Sequence, residues 1–185
     1  MHYNIYYFTD KFDFIELCRL NKKISIIYRN HNKKIDYQVL KKLTKFCKKQ
    51  KRSFFISNNL KLALKFNASG LYLSAFNKIP NYKNKNFKKN FKIIGSAHNF
   101  KEIREKEIQG CSEIFLAPLF YNSKNKNYLK IVRFSYLTLL ASKKIIALGG
   151  INQTNFNLLK MLKIIGFAGI NWIKKTGLQN IARPV

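Results

Sequence analysis

Carboxylates are the scarcest common group in this chain: eight Asp and Glu stand against 36 Lys and Arg among 185 residues. That shortage excludes a good deal of chemistry. Of the acids, only Asp10 falls at the expected end of a strand, so a paired-carboxylate site for acid–base work lacks its second member. An all-protein magnesium cage of several carboxylates is excluded on the same ground, although magnesium arriving with a phosphorylated substrate can use amide oxygens or water. Cysteine is scarce too, with three in all. Cys18, Cys47 and Cys111 are odd in number and far apart, which argues against a disulfide framework or a zinc site and for a reducing compartment. No apolar run approaches the roughly 18 residues a membrane span needs. The first ten residues hold no basic start followed by an apolar run, so the expectation is a cytoplasmic protein with no leader and no membrane partner.

What is abundant is positive charge, a net +28. Such a chain invites a nucleic-acid reading through phosphate contacts. The lysines are spread along the whole sequence, however, together with many Asn, Ile, Phe and Tyr, all residues with A/T-rich codons. Compositional drift explains that pattern better, and nucleic acid is not the expected partner. The charge still favours small anionic substrates.

Short β-rich runs alternate with helical stretches, the mark of a parallel α/β fold. Eight candidate strands cover 5–8, 24–28, 54–56, 70–73, 92–97, 113–117, 144–148 and 166–170. Helices are expected over 12–20, 37–49, 59–66, 99–109, 131–141 and 154–163. Asn99, with Glu102 three residues on, gives a weak capping box. The basic segment 81–89 stands where a further helix would be and reads as a solvated loop. The expected architecture is a compact (β/α)8 barrel with short loops, one domain over 1–185, with an open doubly wound sheet as the alternative. The segment 174–185 departs from a long closing helix and reads as a short cap or a tail.

A barrel of this kind works at the C-terminal ends of its strands. Those ends carry Thr9 and Asp10, Arg29 to His31, Ser57 and Asn58, Ser74 to Asn77, Ser96 to His98, residues 118–126, Gly149 to Asn152, and Asn171. The set is polar, cationic and poor in acid, so it suits an anion site. Arg29 offers a bidentate phosphate contact and Lys124 or Lys126 a point charge. In IIALGGINQTN (145–155) an apolar strand runs into Gly149 and Gly150, where backbone amides can approach a phosphate. A tight turn needing positive φ explains the same glycines equally well. Gly169 and Asn171, after the last strand, would form the other half of such a site. Ser96 and His98 also fit a strand-end turn with a helix cap.

The ordered series IIGSAH (93–98), GCSEIFLAPLF (110–120), a Ser/Lys loop, IALGGIN (146–152) and GFAGIN (166–171) resembles the thiamine phosphate synthase family. Upstream, ISNNLKLALKFNASGLYLS (56–74) and IIYRN (26–30) are similar to further family motifs, so the resemblance spans residues 24–172. It implies a transferase of thiamine biosynthesis that joins a hydroxymethylpyrimidine pyrophosphate to a thiazole phosphate, with magnesium as cofactor. It places Arg29, Ser96 and Lys124 or Lys126 at the pyrophosphate as catalytic residues. Gly149, Gly150, Gly169 and Asn171 would sit at the thiazole phosphate. The family's two metal aspartates correspond to Asn58 and Asn77, and its strand-four histidine to Tyr72. The related thiazole tautomerase uses a histidine where this chain has Pro118, which favours the synthase branch. An isomerase-like relative acting on a thiazole phosphate, and a barrel that binds a phosphorylated ligand without catalysis, are the remaining alternatives.

Overall fold

The computed structural model describes residues 3–30, 35–79, 82, 86–122 and 127–178. Eight parallel strands follow one another around a closed barrel, β1 to β8 in chain order, with β8 pairing back onto β1. They are β1 (Asn4–Thr9), β2 (Ser25–Tyr28), β3 (Phe54–Ser57), β4 (Gly70–Leu73), β5 (Lys92–Ala97), β6 (Glu113–Leu116), β7 (Lys144–Leu148) and β8 (Gly166–Gly169). The open-sheet alternative is therefore excluded. Closure follows from patterning: the strands are apolar on both faces because one face fills the barrel and the other meets helices.

Among the described residues six α-helices pack outside: α1 (Phe14–Arg19), α2 (Tyr37–Lys49), α3 (Leu60–Lys65), α4 (Phe100–Ile108), α5 (Lys130–Leu140) and α6 (Asn171–Thr176). α2 shows the logic. Leu40, Leu43, Phe46 and Cys47 are buried at a helical spacing while its lysines face out, and Asp36 caps it by accepting from the Gln38 and Val39 amides at 2.9 and 3.0 Å. Such a cap contributes about 1 kcal/mol. The helix expected over 154–163 is a 3₁₀ helix instead, Phe156–Met161. Its start lies in a tight turn in which Asn152 Oδ1 accepts from the Thr154 and Asn155 amides. Asparagine side chains that bond the local backbone compete with a regular helical start.

The solvated loop expected over 81–89 needs correction where it can be seen. Residues 81 and 83–85 lie outside the described residues. Tyr82 is buried, and its amide donates to Gln109 O at 3.2 Å. Phe87 is half-buried and stacks on Phe91 with ring centroids 4.7 Å apart. The aromatic residues cover the outer wall near β5 despite the lysines around them.

Inside the barrel Tyr6, Phe8, Ile27, Phe55, Tyr72, Ile94, Phe115, Ile146 and Ala168 form one packed cluster. Phe8, Tyr72 and Phe115 meet edge to face, with centroids 5.3 to 5.9 Å apart. They make the floor of the C-terminal mouth. At the opposite end Tyr6 Oη donates to Glu113 Oε2 at 2.5 Å, and Lys92 Nζ lies 3.1 Å from Oε1. That pairing satisfies a carboxylate that would otherwise be costly to bury.

Candidate active site at the C-terminal mouth

Alternation along β2 and β5 decides which side chains enter the mouth. Ile27 and Ile94 point into the barrel, so Arg29 and Ser96, two residues further on, follow them on the same side. The Arg29 guanidinium carbon lies 5.9 Å from the Phe8 ring centre and 5.8 Å from that of Tyr72. Its Nε is buried and has no hydrogen-bond partner among the described residues. A guanidinium held over two aromatic faces, with a donor to spare and no ion pair to a described carboxylate, is prepared to take an anion.

Tyr72 is fully buried beneath it. Burial pushes its phenol above the ordinary tyrosine range, with the Arg29 guanidinium pulling weakly the other way. Its hydroxyl lies against Ser96 without a hydrogen bond of ordinary geometry. Ser96 is itself buried, so Arg29, Tyr72 and Ser96 form one group. His98 is turned outward: its amide and ring Nδ1 meet Glu102 Oε2 at 2.7 and 2.8 Å, while Asn99 Oδ1 accepts from the Glu102 amide at 2.9 Å. The capping residues of α4 thus absorb His98 and leave Ser96 in the mouth.

Asn58 and Asn77 are brought together, in a way that does not suit a metal. Asn58 sits at φ 56, a left-handed conformation that asparagine tolerates better than most residues. Its Oδ1 accepts from the Ser74 amide at 2.9 Å and from Asn77 Nδ2 at 3.2 Å, and its Nδ2 donates to Ser74 Oγ at 2.9 Å. Asn77 Oδ1 accepts from the Ile79 amide at 3.1 Å. Magnesium needs hard oxygen ligands in near-octahedral geometry. Here Asn58 Oδ1 already takes two protein donors and Asn77 Oδ1 one, and neither residue supplies negative charge, so the two asparagines do not fit a magnesium ion.

Gly149 and Gly150 adopt φ 98 and 70. A Cβ on Gly150 would lie 2.5 Å from Tyr121 O and 2.6 Å from Phe120 O, and one on Gly149 2.7 Å from Pro118 Cβ. The turn is locked to the loop after β6 by Leu119 N to Leu148 O at 2.9 Å and Phe120 N to Gly149 O at 3.1 Å. Packing against that loop therefore demands these two glycines. Gly169 differs: a Cβ there would meet only Ile173, at 3.5 Å, so nothing local requires glycine. Asn171 is exposed at the start of α6, which has no side-chain cap. β7 and β8 pair directly through Leu148 and Ala168, so the Gly149 turn and Gly169 stand side by side. Lys124, Lys126 and His31 lie outside the described residues.

Two participants escaped sequence reasoning. Phe8 joins Tyr72, which the resemblance sets at the family's strand-four histidine, as the platform under Arg29, and its inward register was the available signal. Lys106 is fully buried behind the loop after β4; its spacing from Ile103 on the apolar side of α4 was the clue.

An eight-stranded parallel barrel with a cationic, serine- and glycine-lined C-terminal mouth is a (β/α)8 protein whose site faces the carboxyl ends of its strands. The chain belongs to the thiamine monophosphate synthase family, whose model matches residues 14–173. It is 31% identical to the thiamine-phosphate synthase of Pelagibacter ubique over 175 residues, covering 89% of this chain and 83% of that one. It is 32% identical to a Prochlorococcus marinus enzyme of the same name over 136 residues, 72% of this chain, but spans only 39% of that relative's length. Among solved structures it resembles a thiamine phosphate pyrophosphorylase from Pyrococcus furiosus, with a TM-score of 0.69 at 18% identity over 94% of this chain and 91% of the other. A Bacteroides thetaiotaomicron protein of the same name gives a TM-score of 0.62 at 15% identity over 94% and 85% of the two chains. Among the described residues no helix is long and apolar enough to cross a membrane.

Proposed function

We propose that this chain catalyses the transfer step of thiamine biosynthesis, joining a hydroxymethylpyrimidine pyrophosphate to a thiazole phosphate. The observation that carries the reading is Arg29: a guanidinium over the Phe8 and Tyr72 rings, with a buried donor that no described residue accepts. In the transfer, the bond between the pyrimidine methylene carbon and the pyrophosphate oxygen breaks, and its electron pair leaves with pyrophosphate. The thiazole nitrogen supplies the pair for the new carbon–nitrogen bond. Charge builds on the departing oxygens, where fixed donors are worth most. Arg29 and the Ser96 hydroxyl are those donors, and the aromatic floor keeps water from the cationic carbon. Lys124 or Lys126 completes the set from the loop after β6. The second phosphate is assigned to the β7 and β8 ends, where Gly169 leaves room for close backbone approach. Magnesium held by Asn58 and Asn77 is not part of this reading, and the proposed work falls to the cationic side chains.

The test is product formation by the purified protein from the two substrates, with and without magnesium. Thiamine phosphate formed by the wild type and lost in Arg29→Ala supports the reading. Binding of the phosphorylated substrates without product supports instead a ligand-binding barrel, the second reading, which the neutral Asn58–Asn77 pair favours.

A further inference from the structure

The loop that follows β4 rests on a buried ammonium. Lys106 has no solvent exposure. Its Nζ donates to the Asn77 carbonyl at 2.9 Å and to Gln109 Oε1 at 2.8 Å. Gln109 Nε2 donates to the same Asn77 carbonyl at 2.9 Å and to Ile79 O at 2.8 Å. From the mouth side, Asn77 Nδ2 reaches Asn58 Oδ1, which also holds the Ser74 amide. The loop is thus gripped from both sides, its backbone by α4 and its side chain by the residue after β3.

The lysine reaches this position across the outer face of β5, at a point with no side chain. A Cβ on Gly95 would lie 2.8 Å from Lys106 Cδ and 2.8 Å from Cys111 Sγ. Packing alone does not call for the charge. A methionine would fill the same channel without the cost of desolvating an ammonium, and that burial holds the Lys106 amine below the ordinary lysine range. What the ammonium adds is a strong, directional donor to one backbone carbonyl.

We propose that Lys106 is a positioning residue for the pyrophosphate side of the mouth. Together with the Asn58–Ser74–Asn77 hydrogen bonds, it fixes the β3 and β4 loops by side chains, a task that a dication between two carboxylates would otherwise perform. The loop-fixing claim stands by itself; its link to pyrophosphate rests on the transfer reading above.

The test compares wild type with Lys106→Met, which keeps the stem and removes the ammonium. Amide exchange at 74–79 is expected to quicken about tenfold or more, as loss of a charged hydrogen bond implies, while β5 and β6 keep their protection. The Michaelis constant for the pyrimidine pyrophosphate rises about tenfold with kcat within about twofold, the pattern of lost ground-state positioning. Titration of wild type with magnesium chloride alone gives no saturable heat. Unchanged exchange at 74–79, or saturable magnesium binding abolished by Asn58→Leu, overturns the proposal. If Lys106→Met does not fold, Lys106→Gln, uncharged but still a donor, is held to the same exchange criterion. Absence of product from wild type counts against the transfer reading, while the exchange result still decides the role of Lys106.

Discussion

Gly150 and Gly169 answer different demands, and the difference can be measured. At Gly150 both φ and the nearby Phe120 and Tyr121 carbonyls forbid a Cβ. Gly150→Ala is expected to cost about 2–4 kcal/mol in chemical denaturation, combining backbone strain with overpacking. Gly169→Ala meets only ordinary contact at 3.5 Å, so its stability stays within about 0.5 kcal/mol of wild type. Its affinity for thiazole phosphate falls about tenfold or more if a ligand approaches there, a loss of one hydrogen bond's worth; unchanged affinity by calorimetry would remove Gly169 from the site. Arg29→Lys keeps the charge but loses the planar fork over Phe8 and Tyr72, and should recover only part of the binding lost in Arg29→Ala. The thiols of Cys47 and Cys111 are buried and pushed up to about 12, so neither serves as a nucleophile near neutral pH.

At the scale of elements, α4 ties the barrel together. Glu107 near its end accepts from the Ser142 amide at 2.7 Å and from Arg104 at 2.6 Å, bracing the entry to β7. Burial alone would raise the Glu107 carboxyl, but the Ser142 and Arg104 hydrogen bonds win and hold it below its usual range. A carboxyl depressed in the folded state contributes stability that is present above its unfolded value and lost as pH falls through its folded one. Glu107→Gln should therefore lower stability at neutral pH and flatten the decline below about pH 4, read from denaturation midpoints against pH. An identical slope in both proteins would remove Glu107 from the acid transition.

Elements were also where reading from sequence succeeded and stopped. All eight strands stand out as apolar runs because both of their faces are covered, and no end shifts by more than one residue. The segment 154–163 carries a helical pattern, yet Asn152 and Asn155 bond the local backbone and leave a 3₁₀ turn. Arg29 and Ser96 could be placed at strand ends from spacing alone. That they share Tyr72, and that Asn58 spends its oxygen on the loop after β4 while Asn77 spends its own within that loop, only the folded barrel shows. Lys106 was passed over despite its spacing from Ile103 because a lysine on a helix is ordinarily solvated, and the gap at Gly95 is what admits it.

For the whole molecule the dominant quantity is charge. A net +28 on 185 residues repels itself, and four Lys or Arg ion pairs among the described residues relieve little of it. Sodium chloride screens such repulsion. The melting temperature should rise by about 2–4 °C between low and moderate salt, equivalent to about 1 kcal/mol for a domain of this size; a fall would mean that the ion pairs outweigh the repulsion. On the proposed reading the same field draws anionic substrates toward the mouth, where Arg29 holds its spare donor. In the proposed reaction this mouth transfers a pyrimidine methylene from pyrophosphate to a thiazole. Its most direct test is pyrophosphate release from hydroxymethylpyrimidine pyrophosphate, followed with and without thiazole phosphate. Release should match thiamine phosphate formed mole for mole and be lost in Arg29→Ala; full release without the thiazole, or in Arg29→Ala, would rule out the transfer.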